Sequence, residues 1–288
     1  MRLDREGLTQ LLREALDAEA SDIHLKANSR PALRIGQELV AMAHPALQGT
    51  DTERAAGVLL RMADVDQPLS SLKETRFVMA APSLGRLRVC IFRQRGELGI
   101  LMRPLPNQAP SLQGLGVPID EARCLNHSGV VLVSGKRRQH LVSALVDGYN
   151  HTTHGHVLML EAPILAFHKD ACAQVSQREI GRDTATWKSG INGALQQDVD
   201  VLVLNEQPGL DERESLVRAA EEGSSVVIAV PAAIPTLAVE AFLDGFVGER
   251  RQRLEVRLSA VLQASIGLGR NGFVRSESSG LLDQSCAA

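Results

Sequence analysis

A turn with three consecutive basic residues follows an apolar run near the middle of the chain. Residues 129–134 (Gly-Val-Val-Leu-Val-Ser) precede Gly135, and Lys136, Arg137 and Arg138 come next. An apolar strand that turns into a helix is the frame of a phosphate-binding loop. Such a loop needs glycines for its nested N–H groups, and a Lys followed by Ser or Thr for charge and Mg²⁺. The frame is present here, but the residues that bind phosphate are replaced by bulky ones.

Two glutamates follow apolar runs farther along. Glu161 ends the run 156–160 and Glu206 follows the run 200–204. A carboxylate at the end of a strand can orient water or hold Mg²⁺. Without a positioned metal and nucleotide, Glu206 is a poor general base. Its plainer interpretation is a polar residue that contacts a neighbour, and we favour that interpretation.

Three histidines form a dense group at positions 151, 154 and 156. Imidazoles at short spacing can bind Zn²⁺. They fall between a predicted helix and a predicted strand, and no cysteine joins them. We therefore expect a polar loop and no metal site. The basic run after Gly135 lacks interleaved aromatic residues, so we expect no nucleic-acid site either.

Composition narrows the class of protein. At 288 residues, with 44% hydrophobic and 23% charged residues, the chain is typical of a globular protein of two domains. A net charge of -3 gives no general attraction to nucleic acid or anionic lipid. Four scattered cysteines without a Cys-x-x-Cys pair argue against zinc and against a disulfide framework. We find no signal peptide and no apolar run of ~18 residues, so we expect a reducing cytoplasm.

The first hundred residues show the pattern of an α+β domain. Apolar residues at helical spacing predict helices over 3–19 and 52–63. Alternating patterns predict strands over 21–26, 32–39, 76–80, 86–94 and 99–103, with turns at Gly85 and Gly96.

The pattern changes after a segment rich in proline, residues 104–117, which we interpret as a linker. Continuously apolar runs then alternate with helical ones, as in a parallel sheet covered on both faces. Strands are predicted over 129–134, 156–160, 200–204 and 225–230, and helices over 140–150, 184–195, 211–222, 234–247 and 250–266. We expect Trp187 in the core. The tail, 270–288, is rich in Gly and Ser, and we expect disorder there.

Three motifs carry a resemblance to a known family. They are residues 20–25 (Ala-Ser-Asp-Ile-His-Leu), 86–89 (Arg-Leu-Arg-Val) and 177–184 (Gln-Arg-Glu-Ile-Gly-Arg-Asp-Thr). In this order they resemble the ATPases of type II secretion and type IV pilus systems, most closely the pilus retraction motor of twitching motility. The resemblance covers roughly residues 5–266. It implies a small PAS-like α+β domain (1–103), then a RecA-like P-loop NTPase domain with a parallel sheet (118–269), in a ring of six subunits.

The resemblance assigns roles to several residues that match the family. Arg86, Arg88 and Arg103 stand where the family offers arginines to nucleotide phosphates. Glu161 matches the acidic residue after the second strand of the ATPase domain. Glu206 matches the glutamate that the family uses near Mg²⁺ and the attacking water.

Other positions depart from the family pattern. Ala162 replaces an aspartate and Asn205 replaces a glycine. Residues 208–209 (Pro-Gly) replace an Arg-Asp pair, and residues 230–231 (Val-Pro) stand where the family has a histidine. At the degenerate phosphate loop, only Gly135, Lys136 and Arg137 are left for weak nucleotide contacts, together with Arg88 and Arg103.

The residue pattern favours a pseudo-ATPase in which Glu206 and Glu161 are vestigial. Such a protein would assemble with, or regulate, motor subunits of a secretion or pilus system, as a homo-hexamer or a hetero-hexamer. We expect no cofactor, no metal and no nucleic acid. Contact with an inner-membrane assembly platform stays open, as does a peripheral place at that membrane. One alternative is an active, divergent ATPase that uses ATP and Mg²⁺ for pilus retraction or type II secretion. Another is a relative that has drifted out of function.

Residues 178–183 also allow two interpretations. The charged side chains of Arg178, Glu179, Arg182 and Asp183 are candidates for a subunit interface. The alternative is a salt-bridged helix cap within the subunit, with Asp183 or Thr184 as the N-cap. The sequence does not separate the two.

Overall fold

The structure is a computed structural model that describes residues 3–81, 84–106, 108–269 and 272–277. The chain divides into two compact units, Met1–Asn107 and Gln108–Ala288, called here the N-terminal and C-terminal domains. Within the described residues, no helix combines the length and apolarity needed to cross a bilayer.

The N-terminal domain is a six-stranded antiparallel sheet with two helices. The strand order is β3-β2-β1-β6-β5-β4. Its elements are α1 (Arg5–Asp17), β1 (Asp22–Lys26), β2 (Ala32–Ile35), β3 (Glu38–Ala41), α2 (Gly49–Met62), β4 (Glu74–Ala81), β5 (Gly85–Gln94) and β6 (Glu97–Leu105). The α+β pattern predicted from the sequence is therefore confirmed.

One face of this sheet is apolar because side chains alternate along each strand. In β5, Leu87, Val89 and Ile91 are fully buried in the core that α1 and α2 share. Arg86 and Arg88 occupy the alternate positions and are half-buried. The sheet thus packs against the helices on one side and carries arginines on the other.

One strand predicted from the sequence of this domain is a pair of strands in the structure. The pattern over 32–39 predicted a single strand, but the chain reverses at Gly36, whose φ is +60°, and forms the hairpin of β2 and β3. All four residues of β3 are exposed at the edge of the sheet. An exposed edge strand has no buried face, so its sequence shows no alternation of apolar and polar residues. The pattern therefore did not distinguish β3 from β2.

The C-terminal domain is a seven-stranded sheet in the order β13-β12-β7-β11-β10-β8-β9. All neighbouring pairs are parallel except β12 and β13. Its elements are β7 (Gly129–Gly135), α3 (Arg138–Thr152), β8 (His156–Glu161), β9 (Gln174–Glu179), α4 (Trp187–Leu195), β10 (Val201–Leu204), α5 (Leu210–Glu221), β11 (Ser225–Ala229), α6 (Ala238–Leu243), α7 (Gly248–Val261), β12 (Leu262–Gly269) and β13 (Gly272–Glu277).

Hydrophobic cores lie on both faces of this sheet, which explains the continuously apolar strands. Val130 and Leu132 of β7 belong to one core, and Val131 and Val133 belong to the other. Trp187 is partly buried against the first of these cores. The order of elements is that of a RecA-like domain, as the sequence predicted.

The end of the chain differs from the prediction. The helix predicted over 250–266 stops at Val261, and Leu262–Gly269 forms β12 beside β7. The predicted disorder from residue 270 is wrong for Gly272–Glu277, which forms β13 against β12. The rest of the predicted tail, 270–271 and 278–288, lies outside the described residues. Pairing with the distant strand β7 decided the first outcome, and the hairpin that β13 forms with β12 decided the second. Helical periodicity carries no signal for such pairing.

Two further elements depart from the sequence pattern. The edge strand β9 was not predicted, because its residues (Gln-Val-Ser-Gln-Arg-Glu) are mostly polar. Part of the predicted linker 104–117 is also structured. Leu105 ends β6, while Leu112, Leu115 and Val117 are buried in a core of the C-terminal domain.

Candidate functional site

The connection between β7 and α3 consists of two residues, Lys136 and Arg137. It starts at Gly135, whose φ is +93°. A Cβ at Gly135 would lie 2.7 Å from the carbonyl oxygen of Leu268, so both the backbone angle and the space require glycine. The N–H of Gly135 donates to the carbonyl of Ala232 at 2.8 Å. That N–H is therefore engaged by the loop that follows β11 and is not directed at a ligand.

The first turn of α3 is positively charged. Lys136 and Arg137 are exposed, Arg138 is half-buried, and the turn contains no acidic residue. The N-cap residue, Arg137, makes no side-chain cap. Gln139 instead reaches across to the end of β10, where its Nε2 donates to the carbonyl of Asn205 at 3.3 Å and to Oε1 of Glu206 at 3.4 Å. The first turn of α3 is thus hydrogen-bonded to the residues that follow β10.

Glu161 lies buried at the carboxyl end of β8, 1% exposed. Its Oε1 accepts a hydrogen bond from Nε2 of Gln177 at 2.8 Å. Its Oε2 accepts from Nδ2 of Asn205 at 3.2 Å and from the backbone N–H of Leu165 at 3.3 Å. The carboxylate is therefore surrounded by donors that belong to the protein itself.

Asn205 connects the ends of β8 and β10. Besides Glu161, its Nδ2 donates to the carbonyl of Pro163 at 3.0 Å, and its Oδ1 accepts from the N–H of Ala162 at 3.1 Å. The side chain is 1% exposed, so these partners replace water completely. We call Glu161, Gln177 and Asn205 the carboxyl-edge network. The sequence showed Asn205 only as a departure from the family pattern and gave no sign of this role.

Glu206 is exposed beside this network. Its described contact is the long hydrogen bond from Gln139. An exposed carboxylate that touches a neighbouring amide agrees with the interpretation of Glu206 as a polar residue at a strand end.

Residues 177–184 form the end of β9 and a tight turn. The carboxylate of Asp183 accepts from the N–H of Glu179 at 2.9 Å, and the N–H of Asp183 returns to the carbonyl of Glu179 at 2.9 Å. Arg178 donates to Oε1 of Gln197 at 3.1 Å, and Oε2 of Glu179 accepts from the N–H of Ile164 at 3.2 Å.

The helix cap predicted at Asp183 or Thr184 is wrong. The helix α4 begins at Trp187, and Thr186 caps it through the N–H of Ser189. No ion pair between described residues includes any of the four charged residues at 178, 179, 182 and 183. The salt-bridged cap is therefore excluded, and the subunit interface stays a prediction. Arg182 is exposed there.

The arginines of the N-terminal domain sit on adjacent strands. Arg88 of β5 lies directly opposite Arg103 of β6. Arg103 donates to Oδ1 of the buried Asp22, with distances of 2.8 Å from Nε and 2.7 Å from a terminal nitrogen. The position of Arg103 is thus set by a carboxylate of its own domain. The hydroxyl of Ser21 donates to the other oxygen of Asp22 at 3.0 Å.

The three histidines of the predicted polar loop contact neighbouring oxygens separately. His151 contacts the carbonyl of Asp147, His154 that of Cys172, and His156 the hydroxyl of Ser176, at 2.8, 3.1 and 3.3 Å. Within the described residues, no group of three His, Cys, Asp or Glu side chains could hold a metal ion. A fourth histidine, His168, is mostly buried, and this burial lowers its pKa to about 4.

Comparison with known proteins adds two relatives and a solved structure. No protein-family model matches the chain. Over 264 residues it is 27% identical to the type IV pilus retraction ATPase PilT of Pseudomonas aeruginosa, covering 90% of this chain and 76% of that protein. It is 26% identical to the type IV pilus ATPase PilU of the same organism, covering 89% of this chain and 68% of that protein. The crystal structure of the pilus retraction motor PilT with bound ADP superposes with a TM-score of 0.79 at 26% identity, over 93% of this chain and 80% of that one.

Proposed function

We propose that the chain, which is 27% identical to the pilus retraction ATPase PilT and 26% identical to the pilus ATPase PilU, is a pseudo-ATPase of the type II secretion and type IV pilus ATPase family. In this proposal it assembles with, or regulates, an active motor of the same family. Its fold provides the subunit shape, while its phosphate chemistry is lost. It works in the cytoplasm, next to the membrane-bound machinery that such a motor serves.

The observation that carries the proposal is the two-residue connection from β7 to α3. A phosphate cradle closes several backbone N–H groups on the anion, and the flanking Lys and Ser or Thr add charge and Mg²⁺. Here the N–H of Gly135 donates to the carbonyl of Ala232 in the loop after β11, and Gln139 and His140 occupy the first turn of α3. Charge-assisted hydrogen bonds contribute roughly 1.5–3 kcal/mol each, so the loss of three or more removes over ~5 kcal/mol. Micromolar affinity corresponds to about 8 kcal/mol in total.

The hydrogen bonds of the carboxyl-edge network also support the proposal, because they engage Glu161. A glutamate that serves Mg²⁺ or water needs free oxygen lone pairs. Both oxygens of Glu161 accept hydrogen bonds from Gln177, Asn205 and the backbone. A cation at this carboxylate would compete with these donors, whose hydrogen bonds already stabilise its negative charge.

Nucleotide titration and a phosphate-release assay test whether the chain has lost ATP binding and ATP hydrolysis. A fluorescent ATP analogue with Mg²⁺ should show no saturable binding in the low-micromolar range, and phosphate release should equal the background. Glu206→Gln should leave both results unchanged. The matched positive control is the PilT protein of Pseudomonas aeruginosa. Low-micromolar binding together with hydrolysis that Glu206→Gln abolishes would establish the divergent, active ATPase instead.

Light scattering tests the assembly role. Mixed with an active motor subunit of the family at tens of micromolar, the chain should form a species larger than either protein alone. Ion pairs desolvated at a subunit seam cost several kcal/mol when one partner is removed. Arg182→Ala should therefore weaken the association, whereas Arg253→Ala, at an exposed position of α7, serves as the control. A chain that stays monomeric and binds no such motor would favour a relative that has lost its function.

A further inference from the structure

The side-chain amide of Asn205 lies where two acceptor oxygens of the carboxyl edge converge. Its Nδ2 is 3.2 Å from Oε2 of Glu161 and 3.0 Å from the carbonyl oxygen of Pro163. Carboxylate and backbone carbonyl oxygens are the ligands that hard divalent cations take in proteins. A hydrogen-bond donor of the chain itself thus occupies the place next to two oxygens of the kind that such a cation binds.

The orientation of this amide is fixed at both of its ends. Oδ1 of Asn205 accepts from the backbone N–H of Ala162 at 3.1 Å, while Nδ2 donates to the two oxygens. A flipped amide would direct its oxygen at two other oxygens and its N–H groups at a donor. The side chain is also 1% exposed, so bulk water does not compete for these contacts.

The resemblance to secretion ATPases implies Mg²⁺ near Glu206, and the residues at this edge of the sheet do not fit a divalent cation. The N–H groups of Asn205 carry partial positive charge, so they repel a cation that approaches the same oxygens. A buried position would also require Mg²⁺ to give up its water, which it does reluctantly. Glu206 itself is exposed, and the part of the chain that the structure describes contains no cluster of three His, Cys, Asp or Glu side chains suited to a metal.

The distances from Nδ2 to the two oxygens are nevertheless those between neighbouring ligands of a metal. Oxygens at adjacent octahedral positions, each about 2.1 Å from Mg²⁺, lie about 3.0 Å apart. Nδ2 of Asn205 is 3.0 and 3.2 Å from its two acceptors. Of these three atoms, only the amide nitrogen is one that a divalent cation does not accept as a ligand.

We propose that Asn205 is the residue that closes the carboxyl edge to divalent cations, and that Asn205→Asp converts the same place into a cation site. In the variant, a carboxylate oxygen replaces Nδ2, and a cation bridges it to Glu161 and the carbonyl of Pro163. The repulsion between two buried carboxylates then becomes an attraction of both to the cation. This inference rests on the proposed function, because it names the residue that keeps the metal out of an ATPase site.

Titration with Mn²⁺, followed by electron paramagnetic resonance, tests the proposal because bound Mn²⁺ disappears from the signal of the free ion. The full chain is treated with a chelator, dialysed and titrated in the absence of nucleotide. The unmodified chain should bind no Mn²⁺ that Glu161→Gln removes. Asn205→Asp should bind one Mn²⁺ per chain, and Mg²⁺ should compete for the same site.

Two matched variants locate the bound ion. Asn205→Asp with Glu161→Gln restores the charge of the network and should lose the binding. Asn192→Asp adds the same charge at an exposed position of α4 and should bind none. Urea unfolding followed by the fluorescence of Trp187 gives a second readout. Mn²⁺ at about one hundred times its dissociation constant should lower the unfolding equilibrium constant of Asn205→Asp about a hundredfold and leave that of the unmodified chain unchanged.

Two results would overturn the proposal. One is Mn²⁺ binding by the unmodified chain that Glu161→Gln abolishes, and the other is a variant Asn205→Asp that is folded by circular dichroism and binds no Mn²⁺. If Asn205→Asp does not fold with or without Mn²⁺, Asn205→Ala decides, because it removes the donor without adding charge. It must then bind Mn²⁺ where the unmodified chain does not. Since no nucleotide is present, a failure here is distinguishable from a failure of the proposed function, which the ATP titration measures.

Discussion

Asp22 of the N-terminal domain and Glu161 of the C-terminal domain are buried carboxylates that are satisfied in different ways. In the N-terminal domain, Asp22 meets the guanidinium of Arg103, whose side chain is 52% exposed. In the C-terminal domain, Glu161 accepts hydrogen bonds from two side-chain amides and a backbone N–H. A half-exposed cation can turn to water when its partner is lost, but a buried amide cannot. The carboxyl-edge network should therefore be the less tolerant of the two.

Asn205→Asp should have the largest effect because it places a second carboxylate against Glu161. The donor to Glu161 and Pro163 becomes an acceptor, and two like charges share a buried site. We expect the free energy of unfolding of the C-terminal domain to fall by about 3–5 kcal/mol at pH 7.5. Urea unfolding followed by the fluorescence of Trp187, the only tryptophan, measures this domain. Asn192→Asp, on an exposed part of α4, is the control, and an equal loss in both variants would contradict the expectation.

The second prediction concerns the effect of acid on His168, a histidine that lies beside the same network. The backbone N–H of His168 donates to Oε1 of Gln177 at 2.9 Å, and Nε2 of its imidazole lies 3.1 Å from the hydroxyl of Ser143. Burial, with a smaller contribution from His151, lowers the pKa of His168 from 6.5 to about 4. Below pH 6.5 the unfolded chain binds a proton that the folded domain does not. The free energy of unfolding should thus fall by about 3 kcal/mol as the pH drops from 6.5 to about 4.

His168→Gln should remove this part of the pH dependence. Urea unfolding of the variant and of the unmodified chain at pH 7.5 and pH 4.5 makes the comparison. His154→Gln, at an exposed histidine, should keep the full dependence. If the unmodified chain and His168→Gln lost stability equally between the two pH values, the buried histidine would not be the cause.

Arg103→Ala tests the other carboxylate and should cost less. It leaves Asp22 buried without its cation, but Ser21 and water can reach part of the vacated space. Because Arg103 is half exposed, we expect a loss of only about 1–2 kcal/mol. Hydrogen exchange of the amides in β1 and β6, read by mass spectrometry, reports on this domain. Arg103→Lys should recover part of the protection from exchange. If Arg103→Ala destabilised its domain as much as Asn205→Asp does, the two carboxylates would not differ in tolerance.

Gln139→Ala should have the smallest effect. Its hydrogen bonds to Asn205 and Glu206 are long, at 3.3 and 3.4 Å, and Glu206 is exposed to water. We expect a change below about 0.5 kcal/mol in the unfolding of the C-terminal domain. A loss of several kcal/mol would mean that the link from α3 belongs to the carboxyl-edge network and that the network is larger than Glu161, Gln177 and Asn205.

The residue types along the chain were sufficient to predict much of the fold. Apolar runs at 129–134, 156–160, 200–204 and 225–230 predicted the four central strands, because strands buried on both faces leave no polar alternate positions. The motif at residues 177–184 indicated the family, and the apolar run before Gly135 predicted a strand that turns into a helix. These features are local, and each leaves a signal within a few residues.

Only the tertiary structure decided how polar side chains are satisfied. Nothing at position 205 indicates that an asparagine there would hold a glutamate 44 residues away, or that Arg103 would meet Asp22 across 81 residues. The polar edge strand β9 likewise exists because it pairs with β8, and β12 exists because it pairs with the distant strand β7. The edge strand β13 in turn pairs with β12. Hydrogen bonds between distant residues depend on where the fold places each donor and acceptor. Residue type and spacing determined the four central strands and indicated the family, whereas spatial proximity alone determined how Asp22 and Glu161 are satisfied.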